Sequence, residues 1–583
     1  MGTICGMKAS SKSALALLVL FLFPAAGTAE ERWYVFSIAG TPVGYMREET
    51  EGTRARTEVF ARLGRLGKSL ELRFETATTE DADGNLETLE YEAQLSKQPM
   101  RVAVRLERDR IVIATPPHER AVERGTTPVI GPLAAAKLTA QRLLGAGDEV
   151  EYALFSPELQ RVVKVRRRLV AIGERVECNG ATARRIEETV EGLPAPRTVW
   201  VDGSAVPVAD SVAGPFGPMA TCRASKESAL AANGTLPADA YEKTLARSNV
   251  RLADPFAVER IVLRIRPRAG APALPDVAAD TQRVLAAGLV EIARPERRRV
   301  PGAPPADREF LEPNALVEST NEDVARIARE LKRPDEYDTA IALTTWTADN
   351  LSLDGGIVMA PASELVRDRR ATCMGYATLL AALARAAGLP SRVAMGYVYY
   401  GGIWGGHAWT EMRIDGQWLP FDAAVFAPEV ASATRLAVGA SSLADGAGSL
   451  TAPLARLFGQ VEIEVVEYEA GGGTVRVEPG EPPYRARGGR YVNRGLGIRI
   501  EADGWTVERA DATWPSTLVV AFRRGTTSIE LHQRPRFPER PVALEGDAAF
   551  AAVEGGTRWV WTARGPDAAA ALPAFLARVV RER

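Results

Sequence analysis

Arg369-Arg370-Ala371-Thr372-Cys373-Met374-Gly375-Tyr376, continued by Ala377–Ala387 and closed by Gly388-Leu389-Pro390, decides the fold of the central part of the chain. Leu379, Leu380, Leu383 and Ala387 recur at helical spacing, and a glycine followed two residues later by proline stops a helix. Cys373 therefore falls in the first turn of a buried, Ala/Leu-rich helix. Unpaired backbone N–H groups and the helix dipole favour an anion there, which lowers a thiol's pKa and raises its thiolate fraction. The same N–H groups suit an oxyanion, and the backbone N–H of Cys373 is the donor to expect.

Downstream, Ser391–Tyr399 reads as a strand and Tyr400–Gly406 as a loop. Then come His407-Ala408-Trp409-Thr410-Glu411-Met412-Arg413-Ile414, the pair Asp415-Gly416, and Gln417-Trp418-Leu419-Pro420-Phe421-Asp422. Asp-Gly is a two-residue hairpin turn, so Ile414 faces Gln417 and Trp409 faces Asp422. His407 and Trp409 share a face with Asp422, which makes His407 a diagonal neighbour of that carboxylate at about 7–8 Å between backbones. A one-residue slip would separate them. A nucleophile at a helix start, a base on a strand and an acid on the next strand supply a thiol and an imidazole oriented by a carboxylate. Glu411 lies on the His407 face and is the alternative orienting acid. Trp404, Trp409 and Trp418 are expected to pack around the hairpin. His118 follows Pro116-Pro117 and reads as a surface-loop residue, and His532 has no comparable setting. The scattered histidines and cysteines have no metal-ligand spacing, so neither metal nor cofactor is expected.

These residues resemble the bacterial transglutaminase-like family of the papain-like superfamily. Arg370-Ala371-Thr372-Cys373 is similar to its nucleophile motif, with Ala371-Thr372 standing where the family has Gly-Asp. Ala384-Arg385-Ala386-Ala387-Gly388-Leu389-Pro390-Ser391-Arg392 resembles the helix exit, and His407-Ala408-Trp409-Thr410-Glu411 the histidine motif. Phe421-Asp422-Ala423 resembles the aspartate motif, with Ala423-Ala424 in place of Pro-Thr. The resemblance covers residues 310–468. It implies a catalytic triad of Cys373, His407 and Asp422 acting on amide bonds through a thioester.

Lys8 and Lys12 precede the apolar run Ala14–Phe23, which is followed by Pro24 and Ala25-Ala26-Gly27-Thr28-Ala29. That pattern predicts a signal peptide over residues 1–29, cut after Ala29. The apolar run is shorter than the roughly 20 residues that span a bilayer, and no later stretch is long enough, so no stable membrane span is expected after cleavage. The protein is thus expected to be exported, to the periplasm or beyond. Removing the signal leaves Cys178, Cys222 and Cys373; pairing Cys178 with Cys222 would leave Cys373 free. A net charge of −2 gives no reason to expect nucleic acid as a partner. The runs Arg166–Arg168 and Arg297–Arg299 read as solvated strand faces or linker charge.

At 583 residues the chain exceeds a single core. The expected class is multidomain α+β. Residues 30–230 read as a mostly antiparallel β-domain, with alternation at Ser69–Thr79, Val102–Leu106 and Val162–Val170 and one helix near Gly131–Gly145. Residues 231–309 read as a small β-unit with Pro-rich linkers, including a strand at Ala257–Arg264. Within 310–468, helices are expected at Glu322–Lys332, capped by Ser319 or Thr320, at Glu336–Asn350, and near Leu450–Phe458, before a strand at Val461–Glu467. Residues 469–494 read as a Gly/Pro-rich linker. Residues 495–583 form a small α+β unit ending in a helix at Pro566–Arg581. Two functions compete: a thiol enzyme acting on a protein or peptide substrate, and a silent thiol fold serving as a binding or assembly module.

Overall fold

The computed structural model describes residues 30–581 except 66–67, 193–194, 215–216, 233, 235–243, 269–278, 287, 303, 356–357, 447, 449, 451–456, 513–515 and 537–545. The chain is mostly β, with 50% strand and 16% helix, and its helices concentrate in the central unit.

Alternating residues from Glu30 to Ala224 build, among the described residues, one antiparallel sheet of fourteen strands. Two meanders meet where Glu30–Ile38 pairs with Gly217–Ala224. The outer strands are His118–Glu123 and Glu149–Ser156, and the helix Pro132–Arg142 lies between them in sequence. His118 therefore starts a strand and is half-buried, rather than sitting in a loop. Cys222, on the last of these strands, is bonded to Cys178. The arginine run at 166–168 alternates across the strand Arg161–Arg175. Arg166 and Arg168 stay exposed, while Arg167 turns inward and pairs with the buried Glu188 at 2.7 Å. A strand's period of two places the middle arginine on the inner face whatever its charge.

The central unit carries the site. Its helices are Glu322–Leu331, Glu336–Asn350, Ala362–Asp368 and Cys373–Ala386. The first is capped by Asn321, whose side chain accepts from the N–H groups of Asp323 and Val324, not by Ser319 or Thr320. Cys373–Ala386 is buried along almost its whole length against the sheet formed by Ala246–Arg247, Ser391–Tyr400, Ile403–Ile414, Gln417–Phe421 and Arg435–Ser441. The expected loop at Tyr400–Gly406 is shorter than predicted. Gly401 and Gly402, at φ +55° and +85°, make a tight turn, and the strand resumes at Ile403.

Residues 231–309 are not a separate β-unit. Val258–Pro267 pairs with Leu289–Ala293 on one side and Val461–Ala470 on the other, so one sheet joins this segment to the end of the central unit. Nor is 469–494 a plain linker, since Gly473–Arg476, Arg485–Arg487 and Arg490–Asn493 are strands. The C-terminal helix is shorter than expected, Ala568–Leu576. Its Phe575 packs edge-on against Trp505 and Phe522, and the β-branched Val579-Val580 leaves it to pair as a strand with Ile498–Glu501. The expected helix near Leu450–Phe458 falls largely outside the described residues.

The β-domain touches the central unit next to the nucleophile. Glu364, 1% exposed, accepts from Ser96 Oγ at 3.0 Å, Lys97 N–H at 3.3 Å and Gln98 N–H at 3.0 Å. Its helix leads through Arg369, in the left-handed region at φ +56°, to Cys373. Glu364→Ala removes these three bonds, whose donors sit on half-buried or exposed residues, so at about 0.5–1.5 kcal/mol net per bond the expected loss is about 2 kcal/mol. Thermal unfolding checks it: an unchanged Tm would mean that the contact contributes nothing.

Candidate active site

Cys373 is the first residue of its helix, directly after the N-cap Thr372. Thr372 makes no side-chain cap; its hydroxyl donates to Val358 O at 3.4 Å instead. The helix start is held by Arg370-Ala371, which pairs in parallel with Ser352-Leu353. Gly375 lets this turn seat tightly, because a Cβ there would come within 2.8 Å of the Ala371 Cβ and 3.0 Å of Leu365. Of the cysteines in the described residues, Cys373 is the one outside a disulfide, and it is partly exposed.

His407 stands on Ile403–Ile414, opposite Gly396 of the neighbouring strand. The turn Asp415-Gly416, at φ +53° and +85°, sets the register Ile414↔Gln417 through Thr410↔Phe421, which brings Asp422 alongside Trp409. His407 Nε2 lies 2.8 Å from Asp422 Oδ2, and both side chains are buried. The ring stacks on Trp409 at 6.3 Å between centroids and 21° between planes. His407 also hydrogen-bonds Cys373. With Nε2 committed to the carboxylate, Nδ1 is the nitrogen left for the thiol.

The charges follow from this geometry. Burial works against a charged His407 ring, but the charge and hydrogen bond of Asp422, joined by those of Cys373, outweigh it and raise the imidazole to about 9. Burial likewise opposes ionisation of Asp422, yet the charges of His407 and Arg435 and the hydrogen bonds it accepts hold its carboxyl far below the usual carboxylate range. An imidazolium at neutral pH between a carboxylate and a thiol can stabilise a thiolate and later give a proton to a leaving group.

The structure thus brings together the three residues singled out from sequence and leaves Glu411 out. Glu411 accepts from Arg392 Nε at 2.6 Å, and that guanidinium in turn lies 4.3 Å from the centre of the Trp418 ring. Trp404 and Trp409 are buried in packing, while Trp346 is only half-buried, with Arg369 over its ring.

Sequence reasoning missed Arg435. Its Nε donates to the same Asp422 Oδ2 at 2.9 Å, and it is 5% exposed. The available signal was a lone arginine opening the otherwise apolar run Leu436-Ala437-Val438. A buried strand carries a charge only where a partner waits. Among the described residues no cluster of His, Cys, Asp and Glu is arranged to hold a metal ion.

Residues 325–423 match the family described as the transglutaminase-like superfamily, a span that contains Cys373, His407 and Asp422. This segment is a transglutaminase-like domain. Arg435 lies beyond it. Among solved structures, the chain is similar to a Cytophaga hutchinsonii protein named as a candidate cysteine protease. The two are 18% identical with a TM-score of 0.23, over 38% of this chain and 86% of that one. It is also similar to the periplasmic domain of TgpA from Pseudomonas aeruginosa, at 17% identity and a TM-score of 0.21 over 31% and 90%. A β-barrel-like protein from Brucella abortus is 13% identical with a TM-score of 0.28, over 35% and 98%. No curated protein matches the chain. No helix among the described residues is long and apolar enough to cross a membrane.

Proposed function

We propose that the chain is an exported thiol enzyme that opens an amide bond of a protein or peptide through a Cys373 thioester. The observation that carries this reading is His407 bonded through Nε2 to Asp422, with Cys373 acting on the same ring by charge and hydrogen bond. The Cys373 thiolate attacks the amide carbonyl, and the oxyanion that forms is met by the backbone N–H of Cys373 at the helix start. As the C–N bond breaks, His407 gives its Nδ1 proton to the leaving amine, and the acyl group stays on sulfur. Water then attacks the thioester with His407 as base; the C–S bond breaks, releasing the acid and restoring the thiolate beside a protonated His407. Hydrolysis is favoured over transfer to an amine because it needs no second substrate pocket. Export is supported by the Cys178–Cys222 disulfide, a bond that persists in oxidising compartments, and by the signal-like residues 1–29.

Casein incubated with the mature protein and a fluorescent primary amine separates the outcomes. Acid-soluble peptides in wild type and none in Cys373→Ser is the expected result. Amine incorporation into casein would redirect the reading to transamidation. Absence of both, with an unreactive thiol, would leave the domain as a binding or assembly module.

A further inference from the structure

Asp422 has every lone-pair direction of its carboxylate engaged. Oδ1 accepts from the N–H groups of Ala424 at 3.0 Å and Val425 at 2.9 Å. Oδ2 accepts from His407 Nε2 at 2.8 Å and from Arg435 Nε at 2.9 Å. Arg435 is itself fixed from behind: Nη2 donates to Val425 O at 2.9 Å, and Nη1 to Ser432 Oγ at 3.2 Å. A planar guanidinium anchored on two sides is a rigid reference against which a carboxylate can be set.

We propose that Arg435 is a positioning residue of this site: it locks the Asp422 carboxylate so that His407 is held with Nδ1 toward Cys373. This rests on the reading of Cys373, His407 and Asp422 as one catalytic unit. An arginine that served only the packing of its strand would need a buried acceptor, but not the oxygen that orients the histidine. Arg435 shares that oxygen.

Charge leads to the same assignment. The groups whose charges act most on Asp422 are His407 and Arg435, and those acting most on His407 are Asp422 and Cys373. In the ion-paired state the row runs Arg435⁺, Asp422⁻, His407⁺, Cys373⁻, the first three buried and the thiol partly exposed, and sums to zero. Without Arg435 the row carries a net negative charge in a low-dielectric place. The thiolate is the member that sheds it by taking up a proton.

The test is the rate of iodoacetamide modification of Cys373 against pH, together with casein turnover, in the full mature chain and in Arg435→Gln, Arg435→Lys and Ser432→Ala. In Arg435→Gln the acidic limb is expected to move up by about one pH unit, with turnover falling on the order of tenfold or more. In Arg435→Lys, which keeps the charge and loses the fork, the limb stays near wild type while turnover still falls. A folded Arg435→Gln with wild-type profile and turnover overturns the proposal. Should Arg435→Gln not fold, full turnover in both Arg435→Lys and Ser432→Ala overturns it equally. An ordinary thiol titration in the wild type would instead remove the catalytic reading beneath it.

Discussion

Iodoacetamide is expected to modify Cys373 quickly well below pH ~7, and His407→Ala is expected to lose that acidic reactivity. The imidazole, raised to about 9, stays protonated throughout the neutral range and offers its charge to the sulfur. An ordinary thiol of pKa ~8.5 is only ~0.3% ionised at pH ~6, so losing the ion pair removes up to ~300-fold of the thiolate there. A low-pKa thiolate is a weaker nucleophile, which takes back part of that factor and leaves an expected drop of about tenfold or more. The alkaline side has its own signature. Above pH ~9 His407 loses its proton, so the acid for the leaving amine disappears while the thiolate remains. Turnover should fall there while alkylation stays on its plateau. If wild type and His407→Ala both follow a titration near pH ~8.5, the site is not assembled in solution and the catalytic reading fails.

What could be read from sequence was what is encoded over short distances. The periodicity from Cys373 to Ala387 fixes a helix, and Asp415-Gly416 fixes a register; together they bring Cys373, His407 and Asp422 into one place. The pieces that escaped depend on residues far apart. Nothing in Val258–Pro267 announces that it will pair with Val461–Ala470, since each strand's pattern is satisfied by any apolar neighbour. Arg435 escaped for the same reason, as its meeting with Asp422 depends on how Arg435–Ser441 pairs with Ser391–Tyr400. Gly405 and Gly406 made the start of the His407 strand look like a loop, although the tight turn at Gly401-Gly402 already permits a hairpin. Val579-Val580 continued an apolar helical pattern and became a strand because Ile498–Glu501 offered an edge. Local signals placed the three side chains together, and long-range pairing decided what surrounds them.

Asp422→Asn is expected to damage stability and activity together. The carboxylate meets donors on every side: Ala424 N–H and Val425 N–H at Oδ1, His407 and Arg435 at Oδ2. An amide has an acceptor at one end only. Turned with oxygen toward His407, it sets its NH2 against two backbone N–H groups; flipped, it sets the NH2 against Arg435 and His407. Either way a buried Arg435 loses its counter-charge, and breaking a buried pair from one side costs about 3–5 kcal/mol. The pH dependence gives the signature. The depressed carboxyl contributes stability above pH ~4 that is lost as pH falls, and the raised imidazole contributes below pH ~6.5 what is lost as pH rises through about 9. These are two faces of one interaction, so the Tm gap between wild type and Asp422→Asn should be widest near pH 5–6 and narrow toward both ends. In the variant the imidazole loses the charge that raised it, and the alkaline fall in any remaining turnover should move down from about 9. A Tm gap that does not change with pH would mean that Asp422 supports the fold without holding a charged His407, and the histidine would then lack the charge on which the thiolate depends.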